Sequence, residues 1–106
     1  MKNISGAQEK AKVKEAKIAM GNVTQALQMY YTDCGKYPDA LEGLTTNDGK
    51  CPNWGPEPYI SKKKIQDPWG NEFSYSTEGG NAVVKSFGKD GKEGGDGYNK
   101  DLTLDE

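Results

Sequence analysis

The segment AQEKAKVKEAKIAMGNVTQALQMYY, residues 7–31, decides the fold because it has the pattern of one long amphipathic helix. About 25 helical residues span about 37 Å at 1.5 Å per residue, which is long for so small a chain. Along one face, apolar or small side chains recur in steps of three and four residues, at Val13, Ala16, Met20, Val23, Leu27 and Tyr30. The opposite face carries lysines and glutamines. This spacing predicts an amphipathic helix, and its length predicts that its first turns extend beyond the core.

The composition argues against two classes of function. All 14 basic residues are lysines and the formal net charge is −2, whereas nucleic-acid readers usually carry arginine for bidentate contacts. We therefore expect no nucleic-acid partner. The chain has no histidine, and no activated cysteine or recognisable carboxylate pair takes its place. For that reason we do not expect an enzyme.

The two cysteines, Cys34 and Cys51, are too far apart for a CxxC redox or zinc motif. Their spacing across a segment rich in glycine and proline predicts a disulfide, and the alternative is two unrelated reduced thiols in a cytosolic protein. A disulfide implies an oxidising compartment. The sequence shows neither a signal peptide nor an apolar run long enough to span a membrane. We therefore expect a trimmed form, with Met1 as an artificial start.

Beyond the helix, the pattern predicts a long packed loop and then a hairpin. All five prolines fall within the loop, about residues 32–70. Residues 72–76 alternate polar and aromatic side chains, residues 79–81 have turn composition, and residues 82–87 form the returning strand of a hairpin at 72–87. A helix followed by an antiparallel hairpin is an α+β fold. We expect one domain over residues 1–106.

The last segment, about residues 87–102, is rich in glycine and in short oxygen-bearing side chains. Calcium takes about six to eight oxygen ligands, and glycines let a backbone fold around such an ion. The EF-hand pattern fails here, since Lys92 and Gly94 occupy two of its ligand positions. The residues alone leave two possibilities open, a calcium-binding loop and a solvated acidic tail. The short side chains with oxygen ligands are Asp90, Asp96, Asn99 and Asp101.

Three segments together carry a resemblance to a known family. They are YYTDCGKYP at 30–38, DPWGN at 67–71, and SFGKDGKEGG at 86–95 continuing to NKDL at 99–102. In this order and at this spacing the chain resembles the major pseudopilin of bacterial type II secretion systems, a relative of type IV pilins. The resemblance covers about residues 9–102. It implies a pilin-like fold, in which a long N-terminal helix packs on a small antiparallel sheet, and a structural role.

The resemblance also implies an anchor and a set of partners. Such proteins have a longer helix whose first half is an apolar membrane segment, preceded by a leader that a prepilin peptidase removes before the new N-terminus is methylated. The subunits assemble as a homo-oligomer, the periplasmic pseudopilus, together with minor pseudopilins and inner-membrane secretion components. By this resemblance the protein lies in the periplasm, anchored in the inner membrane, and helps to export folded proteins.

The resemblance further implies one calcium ion in the C-terminal loop. Carried onto this sequence, the resemblance implies the carboxylates of Asp90 and Asp101 as ligands, together with the backbone carbonyls of Phe87 and Lys89. The side-chain oxygens of Asn99 and Asp96 are further candidates. The cysteine pair departs from typical major pseudopilins, which suggests a subgroup or a pilin-like relative. The main alternative is a type IV pilin of a surface filament, although such pilins usually have their disulfide near the C-terminus. A free extracellular calcium-binding or sugar-binding module is a further alternative.

Overall fold

A computed structural model describes residues 4–92, 94–95 and 101–103 of the chain, and of residues 4–8 the backbone alone. The first element, α1, is a helix of 31 residues, Ile4–Cys34. It contains the predicted range 7–31 and runs three residues further at each end. The C-terminal extension follows from Gly35, whose N–H donates to the Tyr31 carbonyl at 2.7 Å and whose φ of 77° ends the helix in a left-handed conformation.

Two short 3₁₀ helices, Leu41–Leu44 and Lys62–Ile65, lie within the predicted loop. In the first, Leu41 and Leu44 are buried. In the second, the three lysines are exposed and only Ile65 is buried. Each 3₁₀ helix therefore ties a loop of irregular backbone to the core through apolar side chains.

The sheet is an antiparallel hairpin of β1, Ser74–Glu78, and β2, Asn81–Lys85. Gly79 and Gly80 form a two-residue turn at φ values of 58° and 83°, as a type I′ turn requires. The strands differ from the predicted ranges 72–76 and 82–87 at both ends. Asn81 pairs with Glu78 rather than belonging to the turn, and β1 continues to the glycines. At the open end of the hairpin, β1 begins at Ser74 and β2 ends at Lys85. With α1 packed on this sheet, the predicted α+β fold class is confirmed.

The core lies between one face of α1, the two 3₁₀ helices and the sheet. Tyr30 packs edge-to-face on Tyr59, with the ring centroids 5.7 Å apart. Of the predicted stripe, Val13 is partly buried and the other members are buried. In the part of the chain that the structure describes, no helix combines the length and apolar character needed to cross a membrane. Among the described residues, the core contains Ala16, Met20, Val23, Ala26, Leu27, Tyr30, Leu41, Leu44, Cys51, Ile60, Ile65, Phe73 and Leu102, and Pro38 is buried as well.

The two cysteines form the predicted disulfide. Cys34 and Cys51 are joined by an S–S bond of 2.05 Å, with their Cα atoms 5.6 Å apart. Since Cys34 is the last residue of α1 and Cys51 is buried, the bond fixes the helix end to the core.

Candidate metal site

The C-terminal loop is closed at its base by a short antiparallel bridge between Ser86 and Leu102. The Ser86 N–H donates to the Leu102 carbonyl at 3.0 Å, and the Leu102 N–H donates to the Ser86 carbonyl at 2.7 Å. Phe87 directly follows Ser86 in the chain, and Asp101 directly precedes Leu102. The bridge therefore brings two of the expected ligands, which are 14 positions apart in sequence, to the same end of the loop.

Asp67 connects this base to the turn at residues 67–71. Its Oδ1 accepts hydrogen bonds from the backbone N–H groups of Trp69 and Asn71, at 3.0 and 2.9 Å. Its Oδ2 accepts one from the Ser86 hydroxyl at 3.2 Å. The Ser86 hydroxyl oxygen in turn accepts one from the Gly88 N–H at 3.2 Å. Asp67 and Ser86 are both buried, so this network has a fixed geometry in a low-dielectric setting.

The first half of the loop is a tight turn. The Gly91 N–H donates to the Gly88 carbonyl at 3.2 Å, which encloses Lys89 and Asp90. Gly91 has a φ of 67°, and a Cβ atom at this position would lie 2.8 Å from Asn71 Nδ2. The backbone conformation therefore favours glycine here, and the exposed Asn71 side chain would have to shift to admit a Cβ atom.

The two acids expected to bind calcium are each oriented by one backbone N–H group. Asp90 Oδ1 accepts from the Lys92 N–H at 3.0 Å, and Asp101 Oδ1 accepts from the Gly94 N–H at 3.0 Å. The carbonyls of Phe87 and Lys89 accept no hydrogen bond from the described residues. The oxygen atoms of these two carboxylates and two carbonyls are hard ligands, which suit calcium.

The described ligands form only part of a calcium shell. Among residues 4–92, 94–95 and 101–103, no group of three or more His, Cys, Asp and Glu side chains comes together to hold a metal. If each carboxylate binds through one oxygen, these two carboxylates and two carbonyls supply about four oxygens, fewer than the six to eight or so that calcium takes. The remaining expected ligands, Asp96 and Asn99, lie outside the described residues. The donor chemistry of the described part fits a calcium ion, and its full ligand set stays a prediction.

Glu9 of α1 contacts both the turn at 67–71 and the loop. Its Oε1 accepts a hydrogen bond from Trp69 Nε1 at 2.9 Å, and its Oε2 lies 3.3 Å from Lys89 Nζ. The Trp69 bond, aided by the Lys89 ammonium, holds the pKa of the Glu9 carboxyl below its ordinary value. The sequence pattern did not identify these roles, because Glu9 and Trp69 are 60 positions apart. The Asp-Pro-Trp-Gly turn was the only local signal for this part of the site.

A solved structure matches this fold along nearly its whole length. The crystal structure of the major pseudopilin from the type 2 secretion system of enterohaemorrhagic Escherichia coli superposes with a TM-score of 0.73 at 23% identity. The match covers 96% of this chain and 93% of that chain. The protein therefore has the fold of a pseudopilin.

Sequence comparison narrows this class to one family. The family model described as type II secretion system (T2SS), protein G, matches residues 3–105. The type II secretion system core protein G of Vibrio cholerae is 34% identical over 106 residues, which cover 94% of this chain and 73% of that protein. Its counterpart from Pseudomonas aeruginosa is 35% identical over 102 residues, covering 89% and 71%. The chain belongs to the type II secretion system protein G family.

Family membership confirms the resemblance carried by the three sequence segments. It also shows that the protein has a structural rather than an enzymatic role, because members of this family are structural pseudopilins. The disulfide between Cys34 and Cys51 is a feature of this chain within that fold.

Proposed function

We propose that this chain is a structural subunit of a periplasmic pseudopilus, which assembles with other components of a type II secretion system to export folded proteins. The observation that supports this most directly is the match of the family model over residues 3–105. The shape is consistent with the role, since the protein measures 55 × 27 × 18 Å and α1 runs along most of the long dimension. We further propose anchoring in the inner membrane through an apolar N-terminal segment with a methylated N-terminus, and contacts with minor pseudopilins and inner-membrane components.

Assembly can be tested with a chimera. Residues 3–105 would replace the matching region of the Vibrio cholerae relative, in a strain that lacks its own core protein G. We expect pseudopili that can be sheared from cells and detected by immunoblot, together with restored secretion. A chimera that is folded and stable but forms no filaments in the presence of calcium would contradict the proposal. Assembly only by a type IV pilus machine would favour the alternative, a surface pilin.

We propose that the C-terminal loop binds one calcium ion, which orders the loop for packing between subunits. The side chains of Asp90 and Asp101 and the carbonyls of Phe87 and Lys89 would be ligands, with Asp96 and Asn99 as further candidates. The Ser86–Leu102 bridge supports this, because it gathers ligands from both ends of the loop. When bound, the ion would supply positive charge that offsets the repulsion between neighbouring carboxylates.

The calcium proposal is tested by thermal unfolding in calcium and in a chelator. At about 100 times its dissociation constant, a ligand stabilises the folded state by about 2.7 kcal/mol. For a domain of this size that raises Tm by on the order of 10 °C. Asp90→Asn and Asp101→Asn should lose most of this shift. Glu57→Gln, at an exposed carboxylate outside the loop, should keep it. An equal calcium shift in all three variants would rule out these ligands, and no shift in the unmodified chain would rule out the ion.

A further inference from the structure

The Glu9 cluster, defined as Glu9, Trp69 and Lys89, joins three distant segments of the chain. Each carboxylate oxygen of Glu9 contacts a different partner: Oε1 is 2.9 Å from the Trp69 indole nitrogen and Oε2 is 3.3 Å from the Lys89 ammonium. Only 14% of the Glu9 side-chain surface is exposed. A carboxylate with so little exposed surface needs such partners. The Lys89 side chain is itself 52% exposed, so the ion pair alone contributes little and the Trp69 hydrogen bond is the main contact.

Both partners of Glu9 belong to the structure that shapes the loop. Trp69 lies in the turn at 67–71, where its backbone N–H donates to Asp67, and Asp67 in turn holds Ser86 at the base of the loop. Lys89 lies in the tight turn closed by the hydrogen bond between Gly91 and Gly88. Glu9 therefore bridges the turn at 67–71 and the first turn of the loop.

Lys89 connects α1 with the expected ion through its side chain and its backbone carbonyl. Its side chain reaches Glu9, whereas its own carbonyl is an expected calcium ligand and its neighbour Asp90 is another. A contact at the ammonium keeps the Lys89 Cα atom within reach of Glu9, although the flexible stem leaves the adjoining peptide groups some freedom. Holding the Lys89 ammonium should therefore limit where this carbonyl and the Asp90 carboxylate can point.

We propose that Glu9 is a positioning residue for the C-terminal loop, which links α1 to that loop and prearranges its first turn before an ion binds. The part of the inference that concerns ion affinity rests on the proposed calcium site. The link between α1 and the loop does not. Because coupling between two sites is reciprocal, ion binding should also strengthen the contacts of Glu9 and slow the opening of the first turns of α1.

The test combines calcium titration by calorimetry with hydrogen exchange of residues 87–92, measured in the full chain. Glu9→Ala removes both contacts, Glu9→Gln keeps an acceptor for Trp69 but loses the charge, and Lys89→Met removes the ammonium but keeps the carbonyl. Residues that orient metal ligands from outside typically contribute about 10-fold to 100-fold in affinity. We expect Glu9→Ala to weaken calcium binding about 10-fold and to speed exchange of the loop in chelator. The other two variants should show smaller effects.

Two controls separate positioning from general loss of stability. Glu15→Gln changes an exposed carboxylate of the same helix and should leave affinity and exchange unchanged. After Lys89→Met, the further change Glu9→Gln should have little additional effect, because both remove the same ion pair. If Glu9→Ala fails to fold, calcium affinity and loop exchange are compared for Glu9→Gln and Lys89→Met instead.

The inference is overturned if folded Glu9 variants bind calcium as tightly as the unmodified chain and show the same loop exchange in chelator. It is also overturned if the effects of Glu9→Gln and Lys89→Met simply add. If the unmodified chain binds no calcium, the proposed ion is wrong. Exchange in chelator then still decides whether Glu9 holds the loop.

Discussion

At the scale of single residues, Tyr75 links β1 to the segment that follows α1. Its hydroxyl donates to the Pro38 carbonyl at 2.6 Å. Desolvation, with a smaller contribution from the nearby Asp39 charge, raises the pKa of Tyr75 to about 12. An unfolded tyrosine ionises near pH 10, so between about pH 10 and pH 12 the folded state binds more protons than the unfolded state. The stability contributed by Tyr75 is therefore complete below about pH 10 and is lost as the pH rises towards 12.

This predicts a specific effect of Tyr75→Phe on alkaline unfolding. The variant should lose the hydrogen bond to Pro38, which costs about 1 kcal/mol at neutral pH. Its stability should then fall less steeply than that of the unmodified chain between about pH 10 and pH 12. Urea unfolding at several pH values measures both effects. Tyr31→Phe, at a tyrosine that is 46% exposed, serves as the control. Parallel pH profiles for the unmodified chain and Tyr75→Phe would contradict the prediction.

Gly91 makes a second prediction at the residue scale. An alanine at its φ of 67° would be strained, and its Cβ would lie 2.8 Å from Asn71 Nδ2. Such a conformation costs about 1–3 kcal/mol for a residue other than glycine. We expect Gly91→Ala to lower Tm and to weaken calcium binding, since the turn around Lys89 and Asp90 must shift.

Gly94 provides the matched control for Gly91. It also has a positive φ, of 89°, but among the described residues a Cβ there would meet nothing within 4 Å. Gly94→Ala should therefore incur the backbone cost alone, and the difference between the two variants reports the close approach to Asn71. Adding Asn71→Ala to Gly91→Ala should recover that difference. Equal effects of the two glycine variants would show that the approach to Asn71 does not matter.

At the scale of elements, α1 contains a glycine that the fold does not require. A Cβ on Gly21 would meet no atom of the part of the chain that the structure describes within 4 Å, and the residue has ordinary helical geometry. Gly21→Ala should stabilise the protein by about 1 kcal/mol, the usual difference in helix propensity. Thermal unfolding should show a rise in Tm of about 4–8 °C. Gly35→Ala, at the helix end with a φ of 77°, should instead lower Tm. The prediction fails if both variants change Tm in the same direction.

The elements themselves could be predicted because their signals are local. The periodicity of residues 13–30 indicates α1, and the glycine pair flanked by alternating residues indicates the hairpin. The ends of the elements were less accurate, since Gly35 and the two-residue turn at Gly79 and Gly80 set them through backbone hydrogen bonds. The candidate ligands were predicted from the short oxygen-bearing side chains and glycines of residues 87–102 and from the family resemblance. The contacts of Glu9 with Trp69 and of Asp67 with Ser86 join residues far apart in the sequence, so local patterns did not predict them.

At the scale of the whole molecule, the disulfide acts mainly on the unfolded chain. Cys34 and Cys51 are 17 residues apart, and closing a loop of that length stabilises a protein by about 3 kcal/mol. The double variant Cys34→Ala/Cys51→Ala should lose about this much free energy of unfolding in urea. Adding a reductant to the unmodified chain should produce a similar loss and should not affect the variant. If the variant were as stable as the oxidised chain, the disulfide would have no role in stability.

Contacts along α1 have a mechanical consequence. Glu9 holds the C-terminal loop near one end, the middle of the helix packs on the 3₁₀ helix Lys62–Ile65, and Cys34 is covalently joined to the core at the other end. A force applied along the helix axis is therefore shared among attachments at several heights. Such a force loads these contacts together, in shear, so they need not break one after another. The helix can therefore transmit a pushing or pulling force to the rest of the domain without detaching from it.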